Sequence, residues 1–127
     1  MSDIVAAVDP GLSTGIAIWG RDFGFSTQTL PWIAAVSEVK SAEPDIVVVE
    51  RYTVRPSQPW SRHPEPMWAI GALLYWSGDG GPEIAFQNPG FRAPAMEEAR
   101  KTVAKGATQH EVDAAAHLIM WLRRNDR

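Results

Sequence analysis

The 127-residue sequence predicts an α/β fold, a mixed five-stranded sheet flanked by helices. Three observations carry this expectation. Apolar runs at residues 4–8 and 15–19 lie close enough to form a hairpin. A third run with alternating Phe and Thr follows them, and from Pro31 onward helical and strand-like segments alternate. Antiparallel strands followed by alternating helices and strands give a mixed sheet with helices on its faces.

Each element has its own signal. Residues 4–8 are almost wholly apolar and end in Asp9-Pro10-Gly11, a buried strand closing in a turn. Residues 15–19 supply its hairpin partner, and residues 22–29 the third strand through Phe23, Phe25 and Thr27. Pro31 starts a short helix carrying Trp32, Ile33, Val36 and Val39, which must stop before Pro44. Residues 45–50 are the strongest strand; Ile46, Val47, Val48 and Val49 in a row imply burial on both faces. A Pro- and Arg-rich loop follows to residue 66. Residues 67–76 read as a helix apolar nearly all round, residues 83–87 as the fifth strand, Asn88-Pro89-Gly90 as the start of a loop, and residues 95–105 as a basic-ended helix. Thr108 and Glu111 form a capping box for the last helix, which buries Val112, Ala115, Ala116, Ile119 and Leu122.

The composition is that of an ordinary globular chain, 45% hydrophobic and 21% charged, of a size expected to form a single domain over residues 1–127. Without Cys there is no disulfide framework and no thiolate metal site. No apolar run reaches the roughly 20 residues of a membrane span, and the N-terminus lacks a secretory pattern. A cytoplasmic setting is therefore expected, with no membrane partner. The net charge of −3 hides an uneven distribution: two basic against seven acidic residues over 1–50, but Arg51, Arg55 and Arg62 without an acid over 51–64. A basic rim beside an acidic site is compatible with a phosphate-bearing partner.

The chemistry-bearing residues stand at particular places. Asp9 ends one apolar strand, Glu50 ends the most apolar one, and His110 and Asp113 share a face of the last helix. Neighbouring strands would bring Asp9 and Glu50 out at one sheet end, where the helix could meet them. Such a cluster needs positive charge, and a pair of Mg²⁺ or Mn²⁺ ions suits carboxylate oxygens with one imidazole. Two ions could activate water and stabilise the leaving oxygen in phosphodiester hydrolysis. Singly, each residue also has a plainer role: Asp9 as a turn former, Glu50 as a solvated strand end, Asp113 as a partner of the helix dipole, and His110 as a surface residue. His117, further along the helix, reads as a packed or half-exposed side chain.

The stretch Val8-Asp9-Pro10-Gly11-Leu12-Ser13-Thr14-Gly15-Ile16-Ala17 resembles the first motif of RuvC-type Holliday junction resolvases. Val47-Val48-Val49-Glu50 resembles the second, Ile70-Gly71-Ala72-Leu73-Leu74 is similar to the helix after it, and His110-Glu111-Val112-Asp113-Ala114-Ala115-Ala116 resembles the last. The resemblance implies an RNase H-like fold with the first strand beside the fourth, and a homodimer cutting branched DNA with divalent metal. It also implies Asp9, Glu50, His110 and Asp113 as the ligands. The chain is shorter than the usual bacterial member, a compactness that suggests a phage-type version acting in the host cytoplasm. Family members often place an aromatic wedge three residues after the Glu; here that position is Thr53, with Tyr52 beside it.

Around the site, Arg51, Arg55 and Arg62 are expected to hold phosphates, and Tyr52 or Trp60 to stack on unpaired bases. Arg92, Arg100, Lys101 and Lys105 form a second candidate rim. In the helix over 67–76, Met67, Ile70, Gly71 and Leu74 form one stripe and Trp68, Ala72, Tyr75 and Trp76 another. The first is assigned to a twofold contact between copies. The leading function is a structure-selective endonuclease for four-way junctions. The alternatives are a broader fork or flap nuclease and a non-catalytic RNase H-like module that binds nucleic acid or protein. A two-lobed actin-like nucleotide-binding protein is excluded by length.

Overall fold

The computed structural model describes residues 3–52 and 64–125. The elements run β1 (Ile4–Asp9), β2 (Ser13–Gly20), β3 (Gly24–Pro31), α1 (Trp32–Ala42), β4 (Ile46–Glu50), α2 (Glu65–Gly78) and β5 (Glu83–Gln87). A 3-10 helix (Pro89–Ala95), α3 (Met96–Thr102) and α4 (Gln109–Arg124) complete the described chain. The five strands form one sheet in the order β3-β2-β1-β4-β5. β1 pairs antiparallel with β2 and parallel with β4, so the first strand does lie beside the fourth.

Side chains alternate across the pleat, so β1, β2 and β4 each feed two cores. Ala6, Val8, Val47 and Val49 pack with Ile16, Val39 and Leu73 under α1 and α2. Val5, Ala7, Ala17 and Val48 pack with Ala114, Ala115, Leu118 and Ile119 of α4 and with Ala99 of α3. The run of β-branched residues in β4 is therefore buried on both faces, as its composition implies.

Several boundaries differ from expectation. β3 starts at Gly24 rather than at residue 22, because residues 21–23 form the turn and Gly24 leaves it at φ 83°, a conformation that glycine adopts without strain. The expected loop after Asn88 is a 3-10 helix containing Pro89 and Pro94. The helix expected over 95–105 is shorter, Met96–Thr102, and ends at Val103, whose backbone is extended.

The two stripes drawn on α2 are corrected. Its buried residues are Pro66, Ala69 and Leu73, with Ile70 and Trp76 packed partly against the same core. Ile70 thus faces the sheet side rather than a partner, while Met67, Gly71 and Leu74 are exposed, as are Trp68 and Tyr75. The reason lies in the wide apolar surface of this helix: with hydrophobic residues nearly all round, periodicity alone does not fix which line turns inward.

Candidate active site

Pleat parity places the two strand acids. Asp9 is in step with Val5 and Ala7, and Glu50 with Val48, so both project to the α4 face. The parallel register pairs Ala7 with Val48 and Val8 with Val49, which brings both acids out at the carboxyl ends of neighbouring strands. Ligands of open α/β sheets bind at such ends. The turn after Asp9 is tied by Thr14, fully buried, whose hydroxyl donates to the Gly11 carbonyl at 3.0 Å.

The start of α4 is fixed by polar pins and by one close approach. Thr108 Oγ1 accepts from the Glu111 N–H at 3.2 Å, and Glu111 Oε2 accepts from the Thr108 N–H at 3.1 Å. Glu111 also accepts from Thr27 Oγ1 at 2.8 Å and from Thr29 Oγ1 at 3.1 Å, so the cap is tied to β3. Burial raises the Glu111 carboxyl, but the Thr108 backbone N–H and the threonine hydroxyls outweigh it and hold the group below its usual value. At Gly15 a Cβ would stand 2.1 Å from the His110 carbonyl oxygen. Only a residue without a side chain lets α4 come this near to β2.

These constraints deliver His110 Nδ1 to 3.4 Å from Asp9 Oδ2. Burial, reinforced by the Glu50 and Asp113 carboxylates, pushes Asp9 from 3.8 up to about 6, against the pull of His110. Partial burial raises Glu50 too, yet bonds from His117 and Arg92 hold it below the usual carboxylate range. His117 is wholly buried and donates Nε2–H to Glu50 Oε2 at 2.9 Å, while its Nδ1 lies 2.9 Å from Gln87 Oε1. Arg92 donates Nη1–H to the same Glu50 oxygen at 2.6 Å and sets Nε 3.5 Å from Asp113 Oδ1. Gln109 Nε2 donates to Asp113 Oδ1 at 2.9 Å.

The structure thus gathers Asp9, Glu50, His110 and Asp113 from three elements. The donor set, three carboxylates and an imidazole, is that of a hard divalent cation. Among the described residues, however, no three such side chains are arranged to grip an ion, and Arg92 bridges two of them. Two participants were missed or misplaced. The sequence reads His117 as packed or half-exposed; it is wholly buried and bonded to Glu50, and its spacing from His110 and Asp113 puts all three on one helical stripe. Arg92, which the sequence groups with the second candidate rim, reaches inward from the 3-10 helix, whose position depends on tertiary packing against α4.

The expected DNA contacts fare unevenly. Arg51 is exposed and stacks its guanidinium 5.5 Å from the centre of the Phe86 ring, and Tyr52 is exposed as well. Arg55, Trp60 and Arg62, with Thr53, lie outside the described residues. Arg100, Lys101 and Lys105 are exposed, and Lys101 pairs with Glu97 one turn away at 3.5 Å.

The chain is similar to Thermus thermophilus RuvC in complex with a Holliday junction substrate: 17% identity, 97% of this chain and 96% of that chain, TM-score 0.64. A further Thermus thermophilus RuvC structure matches at 17% identity over 97% and 96% of the two chains, TM-score 0.59. Fowlpox virus resolvase, in complex with its substrate Holliday junction DNA, matches at 14% identity over 97% of each chain, TM-score 0.57. No protein-family model matches the sequence, and no curated protein matches it. The fold is that of RuvC-type Holliday junction resolvases, an RNase H-like fold, as the sequence motifs implied.

Proposed function

We propose that this chain is a metal-dependent endonuclease that hydrolyses phosphodiester bonds in branched DNA, with the four-way (Holliday) junction as its main substrate. The observation that carries the reading is the convergence of Asp9, Glu50, His110 and Asp113 on one face of a resolvase fold, at the ends of two parallel strands. Asp9, Glu50, Asp113 and His110 would hold Mg²⁺ or Mn²⁺, two ions per site. Bound there, such ions lower the pKa of attacking water and neutralise charge on the leaving oxygen. The chain's own contribution is placement. β1 and β4 fix two carboxylates, the pinned cap of α4 fixes the other two ligands, and His117 with Gln87 sets the angle of Glu50. His110 serves as a ligand or takes the proton of the attacking water at its ring nitrogen.

Arg51 and Tyr52 follow Glu50 directly and are assigned to the DNA backbone and to an unstacked base, together with Arg55, Trp60 and Arg62. Arg100, Lys101 and Lys105 are assigned to a second phosphate rim. Two copies are proposed to pair through the outer face of α2, where Met67, Trp68, Leu74 and Tyr75 are between 46% and 78% exposed. A cytoplasmic location suits this activity, and among the described residues no helix is long and apolar enough to cross a membrane.

The test is cleavage of labelled four-way junction, fork, flap and linear duplex with Mg²⁺, Mn²⁺ or chelator. The junction should be cut fastest and only with metal. Equal cutting of every branched substrate would favour the broader nuclease, and cutting in chelator would remove the metal from the account.

A further inference from the structure

We propose that Arg92 is a built-in counter-cation, which a divalent ion must displace from Glu50 and Asp113; this rests on the reading of the site as a metal-dependent centre. The guanidinium spans both acids, with Nη1 on Glu50 Oε2 at 2.6 Å and Nε facing Asp113 Oδ1 at 3.5 Å. It is therefore in direct competition for two of the four candidate ligands. His117 already donates to the same Glu50 oxygen, so Glu50 Oε2 carries two donors at once.

Three features make Arg92 displaceable rather than fixed. Its side chain is 30% exposed, against 15% for Glu50 and 13% for Asp113, so it approaches from the solvent side. Its backbone belongs to the 3-10 helix, which is packed on α4 through the buried Ala95, so the side chain can leave while its anchor stays. A guanidinium stays charged at any working pH, so protonation change does not release it; a competing charge must.

This makes a prediction of unusual sign. A residue that merely supports the acids would, when removed, weaken cation binding. Removal of a competitor strengthens it. The experiment is Mn²⁺ titration of the DNA-free protein by electron paramagnetic resonance, for wild type, Arg92→Met, Arg92→Lys and Asp9→Asn, with thermal unfolding in chelator. Arg92→Met should bind Mn²⁺ more tightly by roughly 5- to 150-fold, the usual range of a coupling between two ligands, and melt lower in chelator. Arg92→Lys, a point charge that reaches one carboxylate at a time, should lie between wild type and Arg92→Met, and carries the test if the Met variant does not fold. Unchanged or weaker Mn²⁺ binding in both Arg92 variants, with Asp9→Asn losing the ion, would overturn the competition while leaving the metal site standing. Mn²⁺ binding that Asp9→Asn leaves untouched, or that is absent throughout, would overturn the metal reading and this inference with it.

Discussion

The two faces of the sheet are built from the same strands but by different physics. Beneath α1 and α2 the contacts are aliphatic: Val8, Ile16, Val39, Val47, Val49 and Leu73 fill space without directional bonds. Beneath α4, aliphatic packing through Val5, Val48, Leu118 and Ile119 is joined by small and polar contacts. Ala7, Ala17, Ala114, Ala115 and Ala116 let the helix lie close, and Thr27, Thr29, Thr108 and Glu111 pin its start. The first arrangement tolerates small shifts of a helix, since apolar packing has little angular preference. The second does not, and all four candidate ligands project on that side. Carboxylates that must meet within ångströms are placed where hydrogen bonds and a missing Cβ set the distance.

Variants can break this contrast. Among the residues that support the candidate ligands, the largest effect is expected from His117→Ala, which leaves Glu50 turned only by Arg92; junction cleavage should fall about 10- to 100-fold, as for other groups that orient a ligand. His117→Asn, which keeps a donor, should recover part of the loss, and a rate unchanged in the Ala variant would reduce His117 to packing. Gly15→Ala drives a methyl into the His110 carbonyl and should cost about 1–3 kcal/mol by urea unfolding, an overpacking penalty. Cleavage should suffer with it.

Titration sharpens the same point. Asp9 is raised to about 6, so the folded protein holds a proton that the unfolded chain releases. Its contribution to stability is complete below about pH 4 and is lost as pH rises through about 6. In chelator, Asp9→Asn should therefore gain on wild type across that window; parallel stability curves for the two would refute the raised value. On the opposite face, Leu74→Glu should leave folding intact and halve the mass seen by light scattering, whereas a wild type already monomeric at micromolar concentration would dismiss the α2 contact. The smallest effect belongs to Gly71, which has nothing within 4 Å of its would-be Cβ. Gly71→Ala should stabilise by about 0.5–1 kcal/mol through helix propensity alone, opposite in sign to Gly15→Ala.

The same contrast explains what was legible in the sequence. Strand and helix order could be read because alternation, β-branched runs and the Thr108–Glu111 cap are local signals. Asp9, Glu50, His110 and Asp113 stand out in the sequence because each lies at an element end or on a helical stripe, while the pairing of β1 with β4 is what the motif resemblance implies and the structure shows. The inward reach of Arg92 was not legible, since it depends on how a proline-containing 3-10 helix docks against α4. His117 is legible in spacing, but with no partner visible in the sequence a histidine on an apolar helix face reads as packing. On α2, abundance of apolar residues concealed the true buried line through Ala69 and Leu73.

The central claim is that residues from β1, β4 and α4 form one hydrolytic centre. Single-turnover cleavage of a labelled four-way junction, with junction binding measured in parallel, tests it directly on wild type, Asp9→Asn, Glu50→Gln and Asp113→Asn. Each variant should lose about a hundredfold or more in cleavage rate while binding the junction as well as wild type or better, since fewer negative charges face the phosphates. Wild-type cleavage rates in these variants would contradict the account.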